Sequence, residues 1–112
     1  MNANTLQNAP IRLRASLEGD TLVVKTLFTH PMENGLAKDE AGYLIPARYI
    51  TQVELRLNGH TLTTLETGSG VARDPLFGWR LKGAQAGDRV SVGWRDNQGD
   101  ENWAETVVRP VP

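Results

Sequence analysis

The sequence predicts an all-β domain, an immunoglobulin-like antiparallel β-sandwich of about seven strands. Apolar and polar residues alternate over several short segments, which is the pattern of half-buried strands. Turn-forming residues such as Asn58-Gly59 separate these segments at short intervals. No segment repeats its apolar residues at helical spacing. At 112 residues the chain is long enough for one such domain with a single core.

The predicted strands cover, in chain order, residues 11–17, 21–29, 49–57, 60–65, 76–82, 89–95 and 101–108. The segment 21–29 is apolar on both faces, so we expect it to lie in the middle of a sheet. The domain is predicted to span residues 10–109. Residues 1–9 are expected to form a flexible N-terminal tail and residues 110–112 a C-terminal tail.

A long loop, residues 29–50, connects the second and third predicted strands. It contains two prolines and two glycines and has neither helical nor strand periodicity. Loops of this length in a compact domain are usually functional or disordered. We expect this one to be ordered, because it carries apolar side chains that could anchor it: Met32, Leu36, Tyr43, Leu44 and Ile45.

Composition and charge exclude several classes of function. The formal net charge of -1 provides no long-range field toward nucleic acid or an anionic membrane. No apolar run approaches the ~18 residues that a membrane-spanning helix needs. The chain has no cysteine, which excludes disulfides, thiolate metal sites and a thiol nucleophile. Residues 1–10 lack the apolar region of a signal peptide, so no signal is predicted.

No catalytic, cofactor or metal site is predicted. His30 and His60 are the only histidines, and we expect both to be surface or half-buried, since a closed zinc site needs four ligands. Asp39-Glu40 and Asp100-Glu101 are predicted to be solvated turn charges, because neighbouring side chains of an extended chain point to opposite faces. No serine lies in a Gly-x-Ser-x-Gly nucleophile motif.

The three tryptophans receive different predictions. Trp79 and Trp94 share strand faces with other apolar residues and are expected in the core. Trp103 follows Asn102 on what we predict to be an edge strand. It is the best candidate for an interface, where both its apolar ring and its N–H group can be used.

Several segments resemble the SoxZ family, subunits of the periplasmic thiosulfate-oxidising Sox system. The similarity runs in order over residues 10–108 and is most specific in the long loop. The segments that carry it include His30-Pro31-Met32-Glu33-Asn34-Gly35, Ile45-Pro46-Ala47, Gly70-Val71-Ala72-Arg73-Asp74-Pro75 and Trp94-x-Asp96-Asn97-x-Gly99.

This resemblance implies an immunoglobulin-like, non-catalytic subunit that pairs with SoxY. A cysteine on the C-terminal arm of SoxY carries the sulfur intermediate, and other Sox enzymes contact the complex transiently. Export to the periplasm in complex with SoxY is also implied, which agrees with the predicted lack of a signal. The alternative is a freestanding immunoglobulin-like module that binds a ligand or protein through its end loops. An enzyme is the weakest interpretation, for want of a nucleophile and base.

We predict that the long loop and Trp103 recognise the partner or the visiting enzymes. Apolar side chains would act as anchors and charged ones as a polar rim. The predicted residues are His30, Met32, Glu33, Leu36, Lys38, Asp39, Tyr43 and Trp103. So much apolar surface also predicts that the isolated chain self-associates, as a homodimer for example, when its partner is missing.

Overall fold

The computed structural model describes residues 10–111, and within this range it contains eight strands and no helix. The predicted N-terminal tail, residues 1–9, lies outside the described residues. The strands are Ile11–Glu18 (β1), Thr21–Phe28 (β2), Ile50–Leu57 (β3), His60–Glu66 (β4), Leu76–Lys82 (β5), Arg89–Asp96 (β6), Glu101–Val107 (β7) and Arg109–Pro110 (β8).

Two four-stranded sheets pack face to face, which confirms the predicted all-β sandwich. The first sheet has the order β5-β2-β1-β8 and the second β4-β3-β6-β7. All pairings are antiparallel except β1 with β8. The short strand β8 is an addition to the seven predicted strands. It carries Pro110, expected in the C-terminal tail, into register with Leu17, and the N–H of Val111 donates to the Leu17 carbonyl at 3.1 Å.

The core lies between the sheets, where strand alternation puts apolar side chains on the facing sides. Its largest fully buried members are Trp94, Phe28, Leu22, Ile50 and Leu55. Strand β2 is flanked by β1 and β5, as its two apolar faces predict. Trp94 is 2% exposed, and Trp79 packs half-buried against the same core, so both core predictions are confirmed.

The Asn58-Gly59 turn joins β3 and β4 in the predicted hairpin. Both residues have positive φ, 51° and 83°, as a two-residue hairpin turn requires. The β6–β7 hairpin positions the base of the long loop. The β6–β7 turn, residues 97–100, lies at the same end of the sandwich as the start of the long loop, which occupies residues 29–49 between β2 and β3.

Candidate functional site

The long loop is hydrogen-bonded along its length, as expected for an ordered loop. At its base, Glu33 and Arg48 exchange two backbone hydrogen bonds of 2.7 and 2.8 Å. Further out, the N–H of Asp39 donates to the Tyr43 carbonyl at 2.8 Å, and Ile45 donates to Ala37 at 2.8 Å. The two limbs therefore pair with each other, and the loop projects as an irregular hairpin.

Asp39 shapes the tip of this hairpin. Its Oδ1 accepts hydrogen bonds from the backbone N–H groups of Ala41 at 2.9 Å and Tyr43 at 3.0 Å. The N–H of Gly42 closes the turn onto the Asp39 carbonyl at 3.0 Å, with a positive φ of 88°. Asp39 was expected to act in a polar rim, but one of its carboxylate oxygens is occupied in holding the backbone of the tip.

The outer part of the loop exposes large apolar side chains. Leu36 is 78% exposed, Tyr43 73% and Leu44 61%. Lys38, beside them in sequence, is exposed and makes no ion pair within residues 10–111. The tip thus combines apolar groups and a free charge on a backbone that is already ordered, which is the composition expected of a contact surface.

His30 lies at the base of the loop and is fully buried, so the expectation of a surface or half-buried side chain is wrong for this residue. His60 is exposed, as expected. The N–H of Met32 donates to Nδ1 of His30 at 3.1 Å, and Nε2 lies 3.0 Å from Oδ2 of Asp96. Because Nδ1 accepts, the ring proton belongs on Nε2, where it is donated to the carboxylate.

Burial lowers the pKa of His30, and the neighbouring Asp96 carboxylate opposes this effect only in part. A proton on Nδ1 would also confront the N–H of Met32 with no acceptor available. The ring edge packs against Trp94, with centroids 4.8 Å apart and planes at 85°. The geometry therefore favours a neutral imidazole that acts as a structural hydrogen-bonding group.

Asp96 is the centre of the buried network. Its Oδ1 accepts the N–H groups of Gln98 and Asp100, both at 3.0 Å. Its Oδ2 faces His30 and lies 3.6 Å from Nε of Arg48, while Nη2 of Arg48 pairs with the Asp100 carboxylate. Asp100 is only 9% exposed, so the prediction of a solvated turn charge is wrong for it. Burial is possible because the cation and backbone donors compensate the carboxylate charges.

The β6–β7 turn also holds the returning limb of the loop. Tyr49 and Asn97 exchange hydrogen bonds, with Tyr49 N–H donating to Asn97 Oδ1 at 2.8 Å and Asn97 N–H to the Tyr49 carbonyl at 3.0 Å. The Ala47 carbonyl accepts the side-chain amides of Asn97 at 3.1 Å and Gln98 at 2.9 Å. One tight turn therefore fixes where the loop leaves the sandwich.

Met32 is also part of the base, although it was predicted as an adaptable surface contact. It is 8% exposed, has a positive φ of 51°, and its sulfur accepts the N–H of Ile50 at 3.4 Å. Glu33 is half-buried, with one carboxylate oxygen 3.8 Å from Arg73. Among the predicted recognition residues of the loop, burial excludes His30 and Met32 from direct contact in this conformation.

Trp103 lies on β7, an edge strand as predicted, but its ring is covered. The ring rests on Gly93 of β6, where an added Cβ would come within 2.3 Å of it. The Arg56 guanidinium lies over the ring, 4.2 Å from its centroid, and Nε1–H donates to Glu101 at 3.1 Å. Trp103 is thus half-buried in a cross-strand stack on the outer face of the second sheet.

The described residues contain no group of three or more His, Cys, Asp or Glu side chains able to hold a metal ion. They also include no helix long and apolar enough to cross a membrane. Arg48, Asp96 and Asp100 were missed as a network in the sequence, where Asp96 and Asp100 had the signature of an ordinary turn. The polar groups at this end of the molecule form hydrogen bonds and ion pairs with one another.

A family model described as "Sulphur oxidation protein SoxZ" matches residues 11–107, nearly the whole chain. The chain belongs to the SoxZ family. This confirms the resemblance found in the sequence and supports a role in the Sox system. A comparison with curated proteins found no match.

Solved structures similar to this SoxZ-family chain include superoxide reductases (neelaredoxins). One from Archaeoglobus fulgidus, a variant in the reduced form, matches with a TM-score of 0.63 and 14% identity, covering 97% of this chain and 94% of its own. One from Ignicoccus hospitalis matches with a TM-score of 0.60 and 16% identity, covering 90% of this chain and 80% of its own. At such identities the similarity establishes the shared β fold alone.

Proposed function

We propose that this chain is the non-catalytic subunit of a SoxYZ-type sulfur carrier. Its partner is a SoxY-type subunit whose C-terminal cysteine holds the sulfur intermediate during thiosulfate oxidation. The observation that carries the proposal is the long loop, which is fixed at its base by buried polar groups and exposes Leu36, Tyr43 and Leu44 at its outer end. Membership in the SoxZ family gives this surface its context.

The division of labour follows from composition. Covalent attachment of sulfur requires a nucleophilic thiolate, and this chain has no cysteine. The thiol of such a carrier must therefore come from the partner subunit. This chain would contribute a rigid scaffold that holds the partner and presents a surface to the enzymes that act on the bound sulfur.

The loop is suited to partner binding because it is already ordered in the unbound chain. A pre-organised loop loses little conformational entropy when a partner covers it. Three exposed apolar side chains beside charged residues such as Lys38 and Glu40 form a small apolar centre with a polar rim. Small, partly polar interfaces suit contacts that must be released after each step.

We further propose that the complex works in the periplasm and that this chain is exported bound to SoxY. The support is the resemblance to SoxZ, whose members act there. Expressing the chain with and without a SoxY-type subunit that carries its own signal, followed by cell fractionation, tests this. The chain should reach the periplasm only when the signal-bearing partner is present, and periplasmic delivery without it would contradict the proposal.

To test the loop, we compare two variants in which exposed apolar side chains are replaced by serine, one at the loop tip and one on β4. Leu36→Ser/Tyr43→Ser/Leu44→Ser removes the apolar tip, whereas Leu62→Ser/Leu65→Ser removes exposed apolar side chains of β4 and serves as the matched control. Calorimetry measures the affinity of each variant for the SoxY-type subunit. Turnover is measured separately in the reconstituted thiosulfate-oxidising system. We expect the tip variant to lower affinity or turnover about tenfold or more, and the control to leave both unchanged.

Wild-type affinity and turnover in the tip variant would contradict the assignment of the loop to recognition. Intact-mass spectrometry of the same reactions tests the subunit's non-catalytic role. Sulfur-containing mass increases should occur on the SoxY-type subunit alone. An adduct on this chain, or thiosulfate oxidation by this chain without its partners, would overturn the proposal.

A further inference from the structure

The outer face of the first sheet carries a cluster of basic side chains, here called the basic face. Strand alternation and pairing place these residues on one side of four adjacent strands. They are Arg12 and Arg14 on β1, Lys25 on β2, Arg80 on β5 and Arg109 on β8, and all five are exposed. The overall net charge of -1 conceals this concentration of positive charge.

Within residues 10–111, these five side chains have no acidic partner. None of them forms an ion pair within the part of the chain that the structure describes. Of the other lysines and arginines there, only Lys38 is similarly unpaired, and six are paired with carboxylates: Arg48, Arg56, Arg73, Lys82, Arg89 and Arg95. Residues 1–9 contain no aspartate or glutamate that could neutralise the face.

The arrangement is unfavourable for the domain by itself. Arg14 and Lys25 are directly opposite each other in the β1–β2 ladder, and like charges at such positions destabilise a sheet. Glu18 lies on the same face at the turn end of this ladder and forms no ion pair among the described residues, while Asp20 in the turn pairs with Lys82. A face that retains unpaired like charges at some cost to the fold is better explained by an external acidic ligand.

One end of the basic face is apolar. Leu27 and Leu76 pair across β2 and β5 in the same row as Arg12, and Leu76 is 71% exposed. Beside them Gly78 is opposite Lys25, and a Cβ there would meet only the Val24 carbonyl, at 3.4 Å. The result is a short apolar strip that adjoins Arg12, Arg14 and Lys25, and apolar groups beside charged ones are typical of a protein interface.

We propose that the basic face docks a protein that presents an acidic surface beside an apolar patch. A protein fits better than nucleic acid, because the aromatic residues of β5, Phe77 and Trp79, point into the core and leave no stacking platform on this face. This surface belongs to the strands and differs from the long loop. The proposal therefore goes beyond the function proposed above and holds or fails independently of it.

The test measures binding of the full chain to four fluorescent probes at about 0.05 and 0.15 M ionic strength. The first probe is a short peptide with two central leucines flanked by glutamates, and the second has serines in place of the leucines. The third is an oligothymidine of equal charge, and the fourth is a vesicle of phosphatidylglycerol. We expect the leucine peptide to bind most tightly and its affinity to fall as salt rises.

Two matched triple variants locate the site. Arg14→Glu/Lys25→Glu/Arg80→Glu reverses the basic face, and Arg73→Glu/Arg89→Glu/Arg95→Glu makes the same charge change at three exposed arginines outside it. The first should weaken binding of the leucine peptide at least about tenfold, and the control less than about twofold. The single variant Arg14→Glu shows whether weaker binding occurs without loss of folding stability. It should weaken binding while leaving the melting temperature equal or higher, because it replaces a like-charge pair with an opposite-charge pair.

Any of four results would overturn the proposal. The first is that both triple variants weaken binding of the leucine peptide equally, and the second is that the leucine and serine peptides bind with equal affinity. The third is that the oligothymidine or the vesicle binds more tightly than the leucine peptide. The fourth is that the affinity for the leucine peptide does not change with salt. Since none of these measurements uses a SoxY-type subunit, their failure would leave the proposed carrier function untouched.

Discussion

The base and the tip of the long loop have opposite chemistry. At the base, His30 and Asp96 are buried, and Arg48 and Asp100 are largely covered. At the tip, large apolar side chains are exposed to solvent. This reverses the usual distribution, in which charges face water and apolar groups are inside. The contrast teaches that polar groups can be used to fix a backbone so that apolar groups stay available for contact.

The base is expected to specify geometry more than to add stability. A buried ion pair contributes little net free energy, since desolvation offsets the attraction between the charges. Removing one member is different, because the remaining buried charge is left uncompensated. The comparison of base and tip therefore predicts large effects from single substitutions at the base and small ones at the tip.

The largest effect is expected for Asp96→Ala. The substitution leaves His30 and two backbone N–H groups of the β6–β7 turn without their acceptor, and it removes one of the two carboxylates beside Arg48. We expect a loss of about 3–5 kcal/mol in the free energy of unfolding, measured by urea denaturation at neutral pH. Asp20→Ala, at an exposed ion pair with Lys82, is the control and should leave the denaturation midpoint nearly unchanged. Similar losses in both variants would contradict the distinct role of the base.

The buried His30 should make the free energy of unfolding depend on pH. Burial lowers its pKa in the folded state below the ordinary 6.5, so the unfolded chain binds a proton more readily. The contribution of neutral His30 is complete above pH 6.5 and decreases as pH falls from there toward the folded-state pKa. Unfolding measured between about pH 7.5 and 5.5 should show this decrease in wild type and in His60→Gln, and a weaker one in His30→Gln. Identical slopes in all three proteins would contradict it.

A local effect is expected for Asp39→Ala. The variant loses two side-chain hydrogen bonds to the tip backbone, to Ala41 and Tyr43. Hydrogen exchange at these two amides should accelerate, while the global free energy of unfolding changes by about 1 kcal/mol or less, because the tip opens without the sandwich. Lys38→Ala is the control and should leave exchange unchanged. Unaltered exchange in Asp39→Ala would show that the tip holds its shape without this carboxylate.

The smallest effect on stability is expected at the apolar tip itself. Leu36→Ser/Tyr43→Ser should change the free energy of unfolding by no more than about 0.5 kcal/mol, since both side chains are mostly exposed. The same variant should reduce self-association of the isolated chain, measured by sedimentation over a concentration series. Leu62→Ser is the control. A wild-type chain that stays monomeric throughout the series would contradict self-association through the tip.

The sequence by itself determined the fold class and most of the strands. Alternation of apolar residues is a local property, because side chains of a strand point to opposite faces in turn. It therefore located β2 as a central strand, Trp94 in the core and the Asn58-Gly59 turn between β3 and β4. It also determined that residues 1–112 supply no thiol, since they contain no cysteine.

Only the tertiary structure decided which polar residues are buried. His30 and Asp96 are 66 positions apart, and their hydrogen bond exists because the chain leaving β2 meets the end of β6 across the sandwich. No local pattern distinguishes a turn aspartate that faces solvent from one that receives a distant imidazole. For the same reason, the sequence did not predict that Met32 is buried at the base of the loop or that β8 pairs with β1. Burial of a polar group depends on a partner, and partners are brought together by topology.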